Sequence, residues 1–358
     1  MSYTTIDDSS KYFQAHGYTG DGGTQDITLG GNSDLQADWI WIKNRTAESN
    51  HISQNTSLGI TKQQFLDNNA VEGTSQNWGH VNSVSSDGFQ VDEGNSGEAN
   101  ANKNSQNYMS WNWKCNGGTT STNSDGDIDT TVQVNQTAGF SIVNWTAPNA
   151  TARTIGHGLG AIPRAIIIRA RNRVEDWHWF HYSSGTGGFR GNEADAHNDN
   201  TVLGDTLPTS SVYKVGTDFR MNGPYNYHGY FFADVQGFSK FGQYYGNGEA
   251  DAGPFVYTGF KPSLIIIKND ETGSRPFYMF DNARNTFNPN SLKFYVNTAD
   301  QEANDQAIDI LGNGFKVRPN AYGDVGTSSL NHSGQKIVYW AWAENPFVTS
   351  GGAPGTAG

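Results

Sequence analysis

The stretch Trp39-Ile40-Trp41-Ile42-Lys43-Asn44 decides the fold. Four consecutive apolar, strand-favouring residues leave no polar face for solvent. Such a run reads as a strand covered on both sides, as inside a sandwich. The pattern returns as Ala165-Ile166-Ile167-Ile168-Arg169 and as Leu264-Ile265-Ile266-Ile267-Lys268-Asn269, each time ending in a basic residue. About fifty residues after each run comes a small polar residue and a Phe, in Asp87-Gly88-Phe89-Gln90-Val91, Thr217-Asp218-Phe219-Arg220-Met221 and Asn313-Gly314-Phe315-Lys316-Val317. The spacings, Ile42 to Phe89, Ile168 to Phe219 and Ile267 to Phe315, are 47, 51 and 48 residues. Self-similarity at a fixed period marks a repeated structural unit.

Each unit closes on aromatics at i and i+2: Trp111/Trp113, Tyr230/Phe232 and Trp340/Trp342. A period of two puts both rings of a pair on one strand face. Their recurrence points to core packing, together with Trp39 and Trp41. No long segment has helical apolar spacing. The expected fold is all-β: three tandem antiparallel β-sandwich units of jelly-roll or lectin-like type and common ancestry. The expected boundaries are a lead-in at 1–20, unit one at 21–118, a polar linker at 119–137, unit two at 138–243, unit three at 244–348 and a flexible tail at 349–358. The units are expected to pack side by side.

Composition narrows the function. The chain has 358 residues, 35% hydrophobic and 13% aromatic, with 43 glycines. Mean hydropathy is -0.63. Few aliphatics, many aromatics and much Gly suit small β-units joined by polar turns. Net charge is -12, and the 23 Lys and Arg residues are scattered. Nucleic acid and anionic lipid surfaces need clustered positive charge, so neither is an expected partner. The single Cys115 forms no intrachain disulfide, which fits folding in a reducing cytoplasm. The N-terminus lacks a basic and apolar signal sequence, and no apolar run is long enough to insert into a membrane.

Aromatics outside the repeat are the expected glycan contacts: Trp78, Trp177, Trp179, Tyr225, Tyr244 and Tyr245. Asp125, Asp127 and Asp129 alternate as in the start of a calcium loop. Thr130 and Gln136 then stand where that loop needs Gly and Glu, so a solvated acidic segment is the better reading. His178 and His181, three apart in a strand, face opposite ways and chelate poorly. His157-Gly158-Leu159-Gly160 reads as a turn, since no nucleophile elbow accompanies it. Carboxylates such as Glu175, Asp176, Glu193, Asp195, Asp234, Glu249 and Asp251 are plentiful, but the sequence does not pair them for glycoside hydrolysis. No enzyme activity and no cofactor are expected.

Several segments together resemble tail-fibre-like virion structural proteins of marine bacteriophages, of the cyanophage and pelagiphage type. They are Tyr12-Phe13-Gln14-Ala15 leading to Tyr18-Thr19-Gly20, Asp38 to Lys43, Ile155-Gly156-His157-Gly158-Leu159-Gly160-Ala161-Ile162-Pro163 and Gly237-Phe238-Ser239-Lys240-Phe241-Gly242. Gly253-Pro254-Phe255-Val256-Tyr257-Thr258-Gly259-Phe260-Lys261-Pro262 and Ala341-Trp342-Ala343-Glu344-Asn345-Pro346-Phe347 complete the set. The resemblance covers almost the whole chain. In unit one, Gly30-Gly31-Asn32-Ser33-Asp34 replaces the usual Gly-Phe-x-Pro turn. The resemblance implies a virion location, synthesis in the host cytoplasm, other virion proteins as partners and a homo-oligomer, with a trimer as the expected state. It implies a tail fibre or spike that attaches to host-surface polysaccharide. A capsid decoration or tail adaptor protein is the alternative, and a polysaccharide-degrading enzyme the third.

Overall fold

The computed structural model describes residues 3–73, 77–95, 100–148, 152–198, 202–249, 252–318 and 330–355. The described chain is almost entirely antiparallel β-structure. The first stretch holds β1 (Phe13–Thr19), β2 (Thr24–Ile27), β3 (Trp39–Asn44), β4 (Ile52–Asn55), β5 (Gln63–Phe65), β6 (His80–Ser85), β7 (Gly88–Asp92) and β8 (Asn107–Trp113). The middle stretch follows with β9 (Ser121–Asn123), β10 (Thr130–Asn135), β11 (Phe140–Thr146), β12 (Arg153–Gly156) and β13 (Pro163–Ala170). It continues through β14 (His178–His181), β15 (Phe189–Arg190), β16 (Val212–Val215), a single helical turn α1 (Phe219–Asn222) and β17 (Asn226–Ala233). The third holds β18 (Ser239–Tyr245), β19 (Phe255–Tyr257), β20 (Phe260–Asn269), β21 (Tyr278–Asp281), β22 (Asn290–Tyr295), β23 (Ala303–Leu311), β24 (Gly314–Arg318) and β25 (Lys336–Pro346).

The same strand order recurs in each stretch: β1-β8-β3-β4-β5, then β11-β17-β13-β14-β15, then β18-β25-β20-β21-β22. The register recurs with it. Trp113 lies between Phe13 and Trp39, Phe232 between Phe140 and Ala165, and Trp342 between Ser239 and Leu264. A second layer is built by β2-β7-β6, by β12-β16 and by β19-β24. In the third stretch β23 joins both layers into one eight-stranded sheet.

Parity explains why the strand interiors are apolar on both faces. Trp39 and Trp41 point one way, Ile40 and Ile42 the other. Ile40 and Ile42 pack with Phe89 and Val91 of the second layer. Ile166 and Ile168 likewise pack with Tyr213 and Phe231. The opposite faces of all three sheets meet in one central cluster that holds Trp39, Trp41, Trp111, Trp113, Tyr230, Phe232, Trp340 and Trp342. Trp39 stacks on Tyr230 at 4.0 Å, Trp113 meets Trp342 edge-on at 5.3 Å, and Phe232 meets Trp342 at 5.3 Å. Asn55 Nδ2 donates to the Tyr230 hydroxyl at 2.9 Å, so even the polar tip of that ring is satisfied across the junction.

The expected side-by-side array of self-sufficient sandwiches is therefore corrected. Each sheet has a second layer of its own, but its aromatic face is completed by the other two sheets. Three boundaries also move. The lead-in contains β1, an integral strand paired with β8 along its whole length. The segment 119–137 is no free linker, because β9 pairs with β10 and β10 with β11. The third stretch begins with β18, before the expected boundary at 244. In the tail, Val348 bridges to Pro354, and the Ser350 amide donates to Asp7 Oδ1 at 2.6 Å.

One repeat element was misassigned. Phe89 pairs with Ile27, and Phe315 with Val256. The residue in that place in the middle stretch is Tyr213, paired with Ile155. It follows Ile168 by 45 residues, within Val212-Tyr213-Lys214-Val215. Thr217-Asp218-Phe219-Arg220-Met221 instead runs into α1, where the Asp218 carboxylate accepts from the Arg220 amide at 2.9 Å. Asp before a helical turn satisfies an otherwise orphaned N–H, which favours the turn over a strand here.

The basic residue ending each core strand is fully buried: Lys43, Arg169 and Lys268. Each donates to backbone carbonyls of its own stretch and to one of another. Lys43 Nζ reaches Ser49 O at 2.9 Å and Ala299 O at 3.0 Å. Arg169 reaches Glu175 O at 3.3 Å and Ala70 O at 2.5 Å. Lys268 bonds Arg275 O and reaches Ala194 O at 3.3 Å. The first stretch thus clasps the third, the middle clasps the first, and the third clasps the middle. Backbone bonds run beside them: Ser49 N to Ala299 O, Glu175 N to Asn69 O and Arg275 N to Ala194 O. Two junctions add a bidentate pair, Arg45 with Glu302 and Arg171 with Glu72. At the third, Ser184 Oγ of the middle stretch donates to Asp270 Oδ1 at 2.5 Å instead.

Two outcomes are expected. Trp342→Ala removes a ring shared by all three stretches, so it should cost about 3–5 kcal/mol. Unfolding should stay a single transition with coincident tryptophan fluorescence and circular dichroism curves. Separate transitions would refute the shared core. The second concerns pH. Burial pushes the Lys43 ammonium down to about 8 and that of Lys268 down to about 7. In the unfolded chain both return to the ordinary lysine value of 10.5. The unfolded state therefore binds more protons across that window, and these groups make stability rise with pH from about 7. Lys268→Met removes this titration, so the parent should gain on the variant as pH rises, and denaturant titrations of the variant should show a flatter slope between about pH 7 and pH 9.

Candidate functional site

The structure sorts the aromatics singled out above. Trp177 and Trp179 are fully buried in the central cluster, so neither ring face is open to a ligand. Trp177 Nε1 donates to Phe65 O at 2.6 Å, making it a junction residue. Tyr244 is also buried, with its hydroxyl on Leu330 O at 2.7 Å. Period two accounts for all three: each points to the packed side of its strand. Tyr225 is half-buried beneath the Arg173 guanidinium, 4.9 Å from the ring centre. Trp78 is exposed and leans on Phe65. Tyr245, one residue beyond buried Tyr244, is 56% exposed.

The acidic segment behaves as a turn. Asp127 Oδ2 accepts from the amide and the hydroxyl of Thr154 at 2.8 and 2.9 Å, and Asp125 accepts from Asn123. Among the described residues, no group of three or more His, Cys, Asp or Glu is placed to hold a metal ion. His178 and His181 do face opposite ways. His181 Nε2 contacts Tyr339 O at 3.1 Å, and burial pushes its ring down to about 4. His157, in the turn before β13, is likewise pushed down to about 4 by burial. Asp251 lies outside the described residues.

The most open aromatic surface is on the third sheet. Its outermost strands are β18 and β19, and the curl of the sheet brings them together. Lys240 Nζ on β18 donates to Tyr257 O on β19 at 3.1 Å and stands 5.4 Å from the centre of that ring. On β19, buried Val256 alternates with Phe255 and Tyr257, which are 48% and 47% exposed. Two apart on one strand, Phe255 and Tyr257 share a face and form an aromatic ledge. Beside it is a cleft of about 370 Å³ lined by Tyr3, Asp234, Gln236, Lys240, Tyr257 and Gly259. Tyr3 closes one end: its hydroxyl donates to Gly259 O at 2.8 Å and lies 3.0 Å from the Tyr257 hydroxyl. Gly259 has φ +87, and a Cβ there would sit 2.8 Å from the Tyr3 hydroxyl, so glycine fits both the turn and the approach. Asp234 Oδ1 accepts from the Phe241 amide at 2.9 Å, which fixes the carboxylate at the rim.

The sequence reading passed over Phe255 and Tyr257 as ligand contacts. The signal was there. Two aromatics flank a valine in a three-residue strand, and their counterparts beside Ile27 and Ile155 are Asp26, Thr28, Thr154 and Gly156.

A family model matches residues 8–346, from ahead of β1 to the end of β25. The chain belongs to that family, described as a domain of unknown function (DUF7483). No curated protein and no solved structure matches it. The matched span takes in all three sheets, as expected where one core is shared between them. Among the described residues, no helix is long and apolar enough to cross a membrane.

Proposed function

We propose that this protein is a bacteriophage virion component of tail-fibre or spike type that binds host-surface glycan through the ledge of Phe255 and Tyr257. The observation that carries the reading is the ledge itself: two half-open aromatics, one of which walls a cleft edged by polar side chains. A sugar ring offers a C–H face that stacks on an aromatic and hydroxyls that both donate and accept. Tyr257 supplies the platform, Lys240 donates, Asp234 accepts, and Gln236 does both. A polar cleft with one aromatic wall and few fixed polar groups is an ordinary ligand site.

Among the described residues the ledge occurs in the third stretch alone, so avidity comes from several chains in an oligomer rather than from repetition within one. Trp78, exposed on the first stretch, is a subsidiary contact.

Purified protein on a glycan array is expected to bind a subset of bacterial envelope glycans. Tyr257→Ala with Phe255→Ser should weaken that binding about tenfold or more, the scale of a truncated aromatic hot spot. Both positions are half exposed, so thermal stability should hardly change. Absence of glycan binding by the parent protein would sink the proposal. A particle reconstruction with the ledge covered by other virion proteins would do the same, and would favour the adaptor or decoration role.

A further inference from the structure

We propose that a partly open cavity in the middle stretch is a second binding site, for a neutral polyhydroxylated ligand of hexose size. The cavity measures about 320 Å³ and is lined among others by His178, Arg190, Asp195, Asn198, Leu203 and Arg220. That volume is at the lower end of small-molecule sites, about 300–1,000 Å³. It lies where this stretch departs from the other two. Arg220 comes from α1, which stands after β16; among the described residues neither other stretch has an α-helix. The opposite wall comes from β15 and the segment after it.

His178 is the decisive group. Its neighbours Trp177 and Trp179 face the central cluster, so parity aims His178 the other way. It is only 3% exposed, and its Nε2 has no hydrogen-bond partner. The nearest carboxylate oxygen, Glu175 Oε1, stands 3.6 Å away. A buried ring nitrogen left open to a cavity costs free energy that a bound hydroxyl would offset.

The two arginines are held before any ligand arrives. Arg190 Nε donates to Asp195 Oδ2 at 2.6 Å, and Arg220 donates to both oxygens of Asp218 at 2.9 and 2.6 Å. Arg190 also stands 3.5 Å from Asp176. With Glu175 and Glu193 close by, five carboxylates surround Arg190, Arg220 and Arg173. This surplus of negative charge disfavours a phosphate or carboxylate ligand. It suits a hydroxyl pair, which donates to Asp195 and accepts from the N–H groups of the arginines. Leu203 and Phe189 give the C–H face of the ring an apolar contact.

The test uses the full chain with methyl glucoside, methyl galactoside and methyl mannoside, and with glucuronate and inorganic phosphate as anionic probes. Histidine-observed NMR and calorimetry are the readouts, and His178→Gln assigns the resonance. A neutral hexoside should shift the His178 ring signal and bind with an affinity that barely changes with salt. Arg220→Ala should weaken it about tenfold. The Arg220 side chain is 35% exposed, so the fold tolerates the change. Binding of the anions alone would overturn the proposal, and so would a hexoside that leaves His178 unmoved. If Tyr257→Ala abolishes the hexoside signal and Arg220→Ala does not, the sugar sits on the ledge and the cavity site is refuted. The two sites thus stand or fall separately.

Discussion

Everything else in this molecule depends on the contact of three aromatic sheet faces around one centre. Each face is made of rings that are far too large to leave in water, and each full burial contributes on the order of 2–3 kcal/mol. No sheet covers its own face. The second layers cover only the opposite faces, with Ile40 and Ile42 in the first stretch and Ile166 and Ile168 in the middle one. Closure of the three sheets on one another is the arrangement that removes all of Trp39, Trp113, Tyr230, Phe232 and Trp342 from solvent at once. The stacking of Trp39 on Tyr230 and the edge contacts of Trp342 set the angles at which the sheets meet.

Apolar contact is non-directional, so it does not by itself fix which sheet follows which around the centre. The buried basic residues do. A cation taken out of water costs several kcal/mol unless its hydrogen bonds are made good. Lys43, Arg169 and Lys268 each take one acceptor from a neighbouring stretch, the carbonyls of Ala299, Ala70 and Ala194. A different order or a slipped register would strand three charges. The carbonyl acceptors are uncharged, which is why burial depresses the two ammonium groups so far. The specificity is gained at the expense of some stability near neutral pH.

The alternation Trp39-Ile40-Trp41-Ile42 was enough to give an all-β fold with strands covered on both faces. The i, i+2 pairs gave the aromatic core positions, and register bears them out at Trp113, Phe232 and Trp342. What did not follow was that the two faces belong to different cores. Whether Trp41 packs within its own stretch or against Trp179 of another depends on contacts more than a hundred residues apart, and local pattern is blind to them. The same blindness affected the candidate site. Trp177 and Trp179 read as strand residues with one free face because nothing local places a third sheet against them. Thr217-Asp218-Phe219 drew attention through its Phe. The strand that counted, Val212-Tyr213-Lys214-Val215, carries the same alternation with Tyr in place of Phe. Tyr245 was legible as an outward residue, and the Phe255-Val256-Tyr257 alternation beside it could have been.

The division between architecture and function follows from this. Positions that recur in all three stretches are bound by the shared centre, and a ligand there would have to displace a packed ring. Only where a stretch departs from the common pattern are side chains released from that duty. The departures are few: aromatic residues at the outer positions of β19, and a helical turn with its facing segment after β16. The first opens on solvent at the meeting of two sheet edges, where exposed rings and polar groups can meet a large, flexible polymer. The second is a smaller, partly open cavity beside an imidazole nitrogen with no partner, a size that suits a small molecule. Their chemistry differs as their positions do, and apart from Phe189 in the wall of the second, the side chains assigned to ligand contact lie outside the central cluster. Substitution at either place therefore leaves the assembly of the three sheets intact, so such a chain can change what it binds without changing how it folds.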